Sequence, residues 1–110
     1  MAYGSIIVKR VEIKEFLDTI KEYSREEIEC TNHTFFRLSD QQKKIYTPEK
    51  LREIILFETP ILVGIQENRN YAAFYKKIEN KILRIILDIQ IGKINIVTFY
   101  FINSNSLPKI

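Results

Sequence analysis

Residues 81–103 read KILRIILDIQIGKINIVTFYFIN. Two runs rich in Ile, Leu, Val, Phe and Tyr meet at Gly92-Lys93, the pattern of an antiparallel hairpin. Leu83, Ile85, Leu87 and Ile89 occupy alternate positions, so on a strand they share one face. Arg84, Asp88 and Gln90 lie on the other face with Ile82 and Ile86. In the second run Val97, Phe99 and Phe101 form one row, and Ile94, Ile96, Thr98, Tyr100 and Ile102 form the other. If the rows beginning at Leu83 and Val97 face a core, Arg84, Thr98 and Tyr100 fall together on the opposite face.

Upstream, ILVGIQ (61–66) and NYAAFYKKI (70–78) have the same β character, and Gln66–Asn70 and Glu79-Asn80 separate the runs as turns do. Four strands with short links predict an antiparallel meander. Depending on register, the strand over 70–78 adds Tyr75 and Lys77, or Lys76, to the face of Arg84. A sheet face bearing Arg, Lys, Tyr and Thr suits a phosphate backbone and stacked bases.

The first half reads mainly as helix. Ile13, Phe16, Leu17 and Ile20 recur at helical spacing between Val11 and Ser24. Ser24 and Glu27 have the spacing of a capping box. Thr31 or Asn32 is placed to cap a helix carrying His33, Phe36 and Arg37. In TPEKLREIILFETP, Thr47 is the N-cap, Pro48 takes the first helical position, and Leu51, Ile54 and Ile55 make the apolar stripe. Pro60 ends it. Helices first and strands later predict an α+β domain with helices on one sheet face.

The 110 residues suit one domain, and 45% hydrophobic with 28% charged residues is ordinary for a globular protein. Runs such as Ile61–Ile65 fall far short of the roughly 20 residues that span a membrane, and the N-terminus meets charge too early for a secretory signal. One cysteine makes no disulfide framework, so a cytoplasmic protein is the default. The net charge of +3 is unevenly placed. Residues 56–110 hold seven Lys/Arg (Arg69, Lys76, Lys77, Lys81, Arg84, Lys93, Lys109) against four acids (Glu58, Glu67, Glu79, Asp88). A basic half attracts phosphate, anionic lipid or an acidic partner.

Several chemistries are disfavoured. His33 and Cys30, three residues apart, do not make a zinc site, and the acids lack magnesium spacing. No metal or other cofactor is expected. There is no Gly-x-Ser-x-Gly elbow and no glycine-rich phosphate loop, and Cys30 reads as a small buried residue. General acid–base chemistry remains. His33, the one histidine, can give or take a proton near neutral pH. On a helix Arg37 shares its face at i,i+4. Arg37 and Arg84 can grip a phosphate through paired hydrogen bonds, and Tyr100, Tyr75 or Tyr71 can donate a hydrogen bond or stack on a base. RNA brings its own nucleophile, the 2′-hydroxyl, so these groups would suffice for RNA cleavage.

The order Thr31-x-His33-x-x-x-Arg37, TPEKLREII, TPILV and RIILDIQIGKINIVTFY resembles a family of small prokaryotic proteins allied to the RelE-like and BrnT-like toxins. The likeness covers Ile28 to Phe101, with residues 1–27 as an N-terminal helical addition and 28–103 as the toxin-like core. It implies a RelE/barnase-like ribonuclease fold, with N-terminal helices packed on a curved four-stranded antiparallel sheet. It also implies metal-independent cleavage of RNA and a cognate antitoxin protein as partner; homodimerisation stays open. Carried over by position, His33 and Arg37 match the helix motif, Arg84 the penultimate strand, and Thr98 and Tyr100 the last strand. Where the family has a second arginine this chain reads LSDQQKK, so Lys43 or Lys44 would substitute. The expectation is thus an endoribonuclease with His33, Arg37, Arg84 and Tyr100 catalytic, and Lys77, Thr98 and Lys43 on the substrate. The alternative is a non-catalytic module that binds nucleic acid or protein, including one encoded by a virus or mobile element.

Overall fold

The computed structural model describes residues 7–30 and 45–108. Strand β1 (Ile7–Arg10) leads into helix α1 (Ile13–Ile20), a 3-10 turn (Arg25–Glu27) and strand β2 (Ile28–Cys30). Helix α2 (Pro48–Phe57) is followed by β3 (Leu62–Gln66), β4 (Tyr71–Lys76), β5 (Lys81–Gln90) and β6 (Lys93–Asn103), and a second 3-10 turn spans Ser104–Ser106.

The expected four-stranded antiparallel sheet beneath N-terminal helices is overturned. Among the described residues the sheet has six strands, ordered β1-β3-β4-β5-β6-β2. β3 to β6 form the antiparallel meander, and the chain's first thirty residues supply both edges. β1 pairs antiparallel with β3, whereas β2 lies parallel to β6, with Ile28, Glu29 and Cys30 opposite Ile94, Asn95 and Ile96. Strands of three and four residues are too short to show a period of two, so the sequence hid them. Residues 1–27, read as a helical addition, thus contribute a strand as well as a helix. Phe16 and Ile20 of α1 are buried in the main core.

Both described helices cover one sheet face. Phe16 and Ile20 from α1 and Leu51, Ile54 and Ile55 from α2 pack with Val63, Tyr75, Leu83, Ile85, Leu87, Ile94, Ile96 and Phe99. Each fully buried side chain of this kind contributes about 1.5–3 kcal/mol. α2 starts where its cap allows: Thr47 Oγ1 accepts the Lys50 N–H at 3.2 Å, with Pro48 in the first turn. Arg52 Nε donates to the Ile28 carbonyl at 2.7 Å and ties α2 to β2.

The alternation of β6 is interrupted. Ile86 pairs with Thr98 but Leu87 pairs with Ile96, so Val97 is an extra residue, a β-bulge. Past the bulge the parity reverses. Ile94 and Ile96 therefore join Phe99 and Phe101 on the helix face, while Val97 turns to the other side. The single apolar row Val97–Phe99–Phe101 expected from the sequence is corrected accordingly. The second face is also not an open polar surface: Leu62, Ala72, Phe74, Ile82 and Ile86 are buried in a second, smaller apolar cluster.

The β5–β6 hairpin closes through Ile91-Gly92 between the paired Gln90 and Lys93. Gly92 has φ of 79°, in the left-handed region. A Cβ there would meet nothing within 4 Å, so only the backbone conformation demands glycine. Gly92→Ala is expected to lower stability by about 1–2 kcal/mol, read as a lower urea midpoint at unchanged m-value.

Candidate functional site

On the second face, β4, β5 and β6 bring Phe74, Arg84 and Tyr100 into one cross-strand row, since Phe74 pairs with Arg84 and Arg84 with Tyr100. Paired residues on neighbouring strands point to the same side. The Arg84 Cζ sits 5.2 Å from the Phe74 ring centroid and 5.6 Å from that of Tyr100. Both distances allow cation–π attraction, worth about 2 kcal/mol or more when desolvated. Thr98 lies two residues before Tyr100 on the same strand and face, opposite Ile86.

Arg84 is 9% exposed, and it is the charged residue in the buried class among the described residues. Thr98 is buried as well, and Tyr100 is half-buried. Burial pulls the Arg84 guanidinium below its ordinary value, and the Tyr100 phenol partly opposes that shift. Burial pushes the Tyr100 phenol up, with Arg84 opposing. Near neutral pH the pair is therefore a cation beside a neutral phenol. A positive charge with a phenol beside it is a combination able to hold an anion.

The expected site residues separate into three groups. Arg84, Thr98 and Tyr100 come together as described. Lys77 does not join them: it lies just beyond β4 on the helix side, where Nζ pairs with Glu58 Oε1 at 2.6 Å at the C-terminal end of α2. The register places Lys76, not Lys77, on the face of Arg84, opposite Ile82. His33, Arg37 and Lys43 lie outside the described residues. Among the described residues no three His, Cys, Asp or Glu side chains gather as a metal site would need. No described helix is long and apolar enough to cross a membrane.

Sequence reasoning missed Phe74 as the other wall of the Arg84 site. The only signal was positional, because a register that pairs Phe74 with Arg84 puts the ring and the guanidinium on one side. It also missed Gln66, which is 1% exposed and whose side-chain amide atoms have no hydrogen-bond partner among the described residues. By parity along β3 it lies on the second face with Leu62. No protein-family model, no curated protein and no solved structure matches this chain.

On the opposite face Tyr75, a candidate stacking residue, is enclosed in the helix-side core, and among the described residues its hydroxyl has no hydrogen-bond partner. Burial pushes its pKa up strongly, and the Glu58 carboxylate adds to the shift. A phenol that ionises less readily when folded stabilises the fold below the unfolded pKa of about 10. That contribution is lost as pH rises above 10 towards the folded value. Tyr75→Phe removes both the unsatisfied hydroxyl and this titration. It is expected to raise stability by about 1 kcal/mol at pH 7 and by more at pH 11, measured as urea unfolding at the two pH values.

Proposed function

We propose that this chain is a metal-independent endoribonuclease of toxin type, in which Arg84 and Tyr100 hold the phosphate under attack. The observation that carries the reading is the placement of Arg84: a buried cation held between Phe74 and Tyr100 on the sheet face that also bears Thr98. A guanidinium costs free energy to dehydrate, and once fixed it stabilises developing negative charge without reorganising. The resemblance to RelE-like and BrnT-like toxins points the same way and brings a cognate antitoxin as the protein partner.

In this reaction the 2′-oxygen of RNA bonds to the adjacent phosphorus and the bond from phosphorus to the 5′-oxygen breaks. A general base takes the 2′-hydroxyl proton and a general acid protonates the departing oxygen. The products are a 2′,3′-cyclic phosphate and a 5′-hydroxyl. His33 is the residue assigned to one of these proton transfers, with Arg37 and Lys43 on the substrate. Arg84 faces the charge that grows on the non-bridging oxygens, and Tyr100 and Thr98 offer hydroxyls to orient them.

The depth of Arg84 supports a second reading as well: a site that binds a nucleic-acid phosphate without turning it over. Incubation of single-stranded RNA with purified protein in EDTA separates the two. Cleavage with cyclic-phosphate ends is expected, lowered by about 10²–10³-fold in Arg84→Gln and abolished in His33→Ala. Full-rate cleavage by a folded Arg84→Gln protein would remove Arg84 from the mechanism. Salt-sensitive binding with no cleavage at any concentration would select the binding module.

A further inference from the structure

Lys76 and Ile82, the next cross-strand pair along the second face from Phe74 and Arg84, line a cavity of about 290 Å³ at the end of the sheet. Lys81, Asn80 and Ser104 form its polar wall and Ile61 and Leu107 its apolar one, with Glu79 as its single acid. The wall is tied together. The Ser104 N–H donates to the Asn80 carbonyl at 2.7 Å, joining the 3-10 turn after β6 to the β4–β5 turn. Lys81 Nζ donates to Asn103 Oδ1 at 3.3 Å. A second cavity of about 330 Å³ shares Asn80 and Ser104 and adds Asn103 and Asn105.

We propose that these neighbouring cavities, which share Asn80 and Ser104, are the subsite for the nucleotide that flanks the phosphate held at Arg84. The inference rests on the RNA-directed reading of Arg84 and deepens it. Five features match this ligand. Two residues along a strand advance about 6.6 Å, so the Lys76 row lies about one backbone step of a single strand from the Arg84 row. Lys76 and Lys81 are both exposed and so available to a phosphate, and two lysines against Glu79 leave the pocket net positive. The volume is near the lower end of ligand pockets, roughly 300 Å³, which suits one nucleotide. Asparagine amides carry donors and acceptors together and can read a base edge, and the neighbouring cavity presents three of them. Ile61 and Leu107 supply an apolar surface for the sugar or the base face.

The test uses the full chain in EDTA with a short, labelled, single-stranded RNA carrying 2′-deoxy linkages so that it is not cleaved. Lys76→Ala/Lys81→Ala is expected to weaken binding at least tenfold. It should also reduce the slope of log Kd against log salt by about 1.4, two contacts at roughly 0.7 each; Lys76→Arg/Lys81→Arg should restore both. In parallel, adenosine 5′-monophosphate should shift the amide resonances of Asn80, Lys81 and Ser104 in the wild type and not in the double alanine variant. RNA binding lowered by Arg84→Gln but unchanged in the double alanine variant, with no shifts from the nucleotide, overturns the subsite and leaves the Arg84 reading standing. Shifts from the nucleotide without any RNA binding keep the pocket as a nucleotide site and overturn the RNA-directed reading. Neither shifts nor RNA binding overturns both.

Discussion

The extra residue at Val97 organises the sheet. By inserting one position into β6 opposite the Ile86-Leu87 step, it lets a single strand present Ile94 and Ile96 to the helices at one end and Phe99 and Phe101 at the other. Without it, keeping Phe99 inside would turn Ile94 and Ile96 outward, since a one-residue slip exchanges the faces of every side chain beyond it. The parallel partner β2 depends on the same shift. Ile28 is fully buried opposite Ile94, and that pair contributes to the helix-side core only because Ile94 points there. Arg52 then fastens α2 to the Ile28 carbonyl, so the position of a helix also traces back to the register of β6.

Alternation along β5 also keeps unlike surroundings apart. On one side of β5 lie Leu83, Ile85 and Leu87, enclosed by helices; on the other, one residue away, lies Arg84 between two aromatic rings. A central strand buried on both faces reads as a nearly unbroken apolar run, and the buried stretch 82–87 of β5 follows this except at Arg84. The guanidinium takes a place where an aliphatic side chain would pack without the desolvation cost. Lys77, one residue past the end of β4, belongs to the other side, where it locks the end of α2 through Glu58. The two cations differ in role because one position along a strand changes the face.

Much of this was legible in the sequence where strands are long. The row Leu83, Ile85, Leu87 and Ile89 identifies the inward face of β5, and Thr47-Pro48 with Leu51, Ile54 and Ile55 identifies α2. The grouping of Arg84, Thr98 and Tyr100 could also be read, because all three lie on the same side of the bulge. The parity of Ile94 and Ile96 could not, because a bulge is a property of two strands in register and leaves no mark in one strand's alternation. β1 and β2 were missed for a related reason: Ile28–Cys30 is strand only by virtue of β6, a partner far along the chain. The choice between Lys76 and Lys77 needed the Lys76–Ile82 pairing, which the sequence left open.

The parallel placement of β2 has a consequence for how the molecule is made. Among the described residues 7–30, none pairs with its own neighbourhood in the sheet: β1 waits for β3, β2 for β6, and the Tyr23 hydroxyl for the Gln90 carbonyl 67 residues away. β1 and β2 thus precede their sheet partners β3 and β6 in the chain. The meander of β3 to β6 can assemble from adjacent hairpins, whereas both edges must be added across long loops, the slow kind of contact to form. Phe16 and Ile20 of α1 have a sheet face to cover only once the strands of the meander have come together.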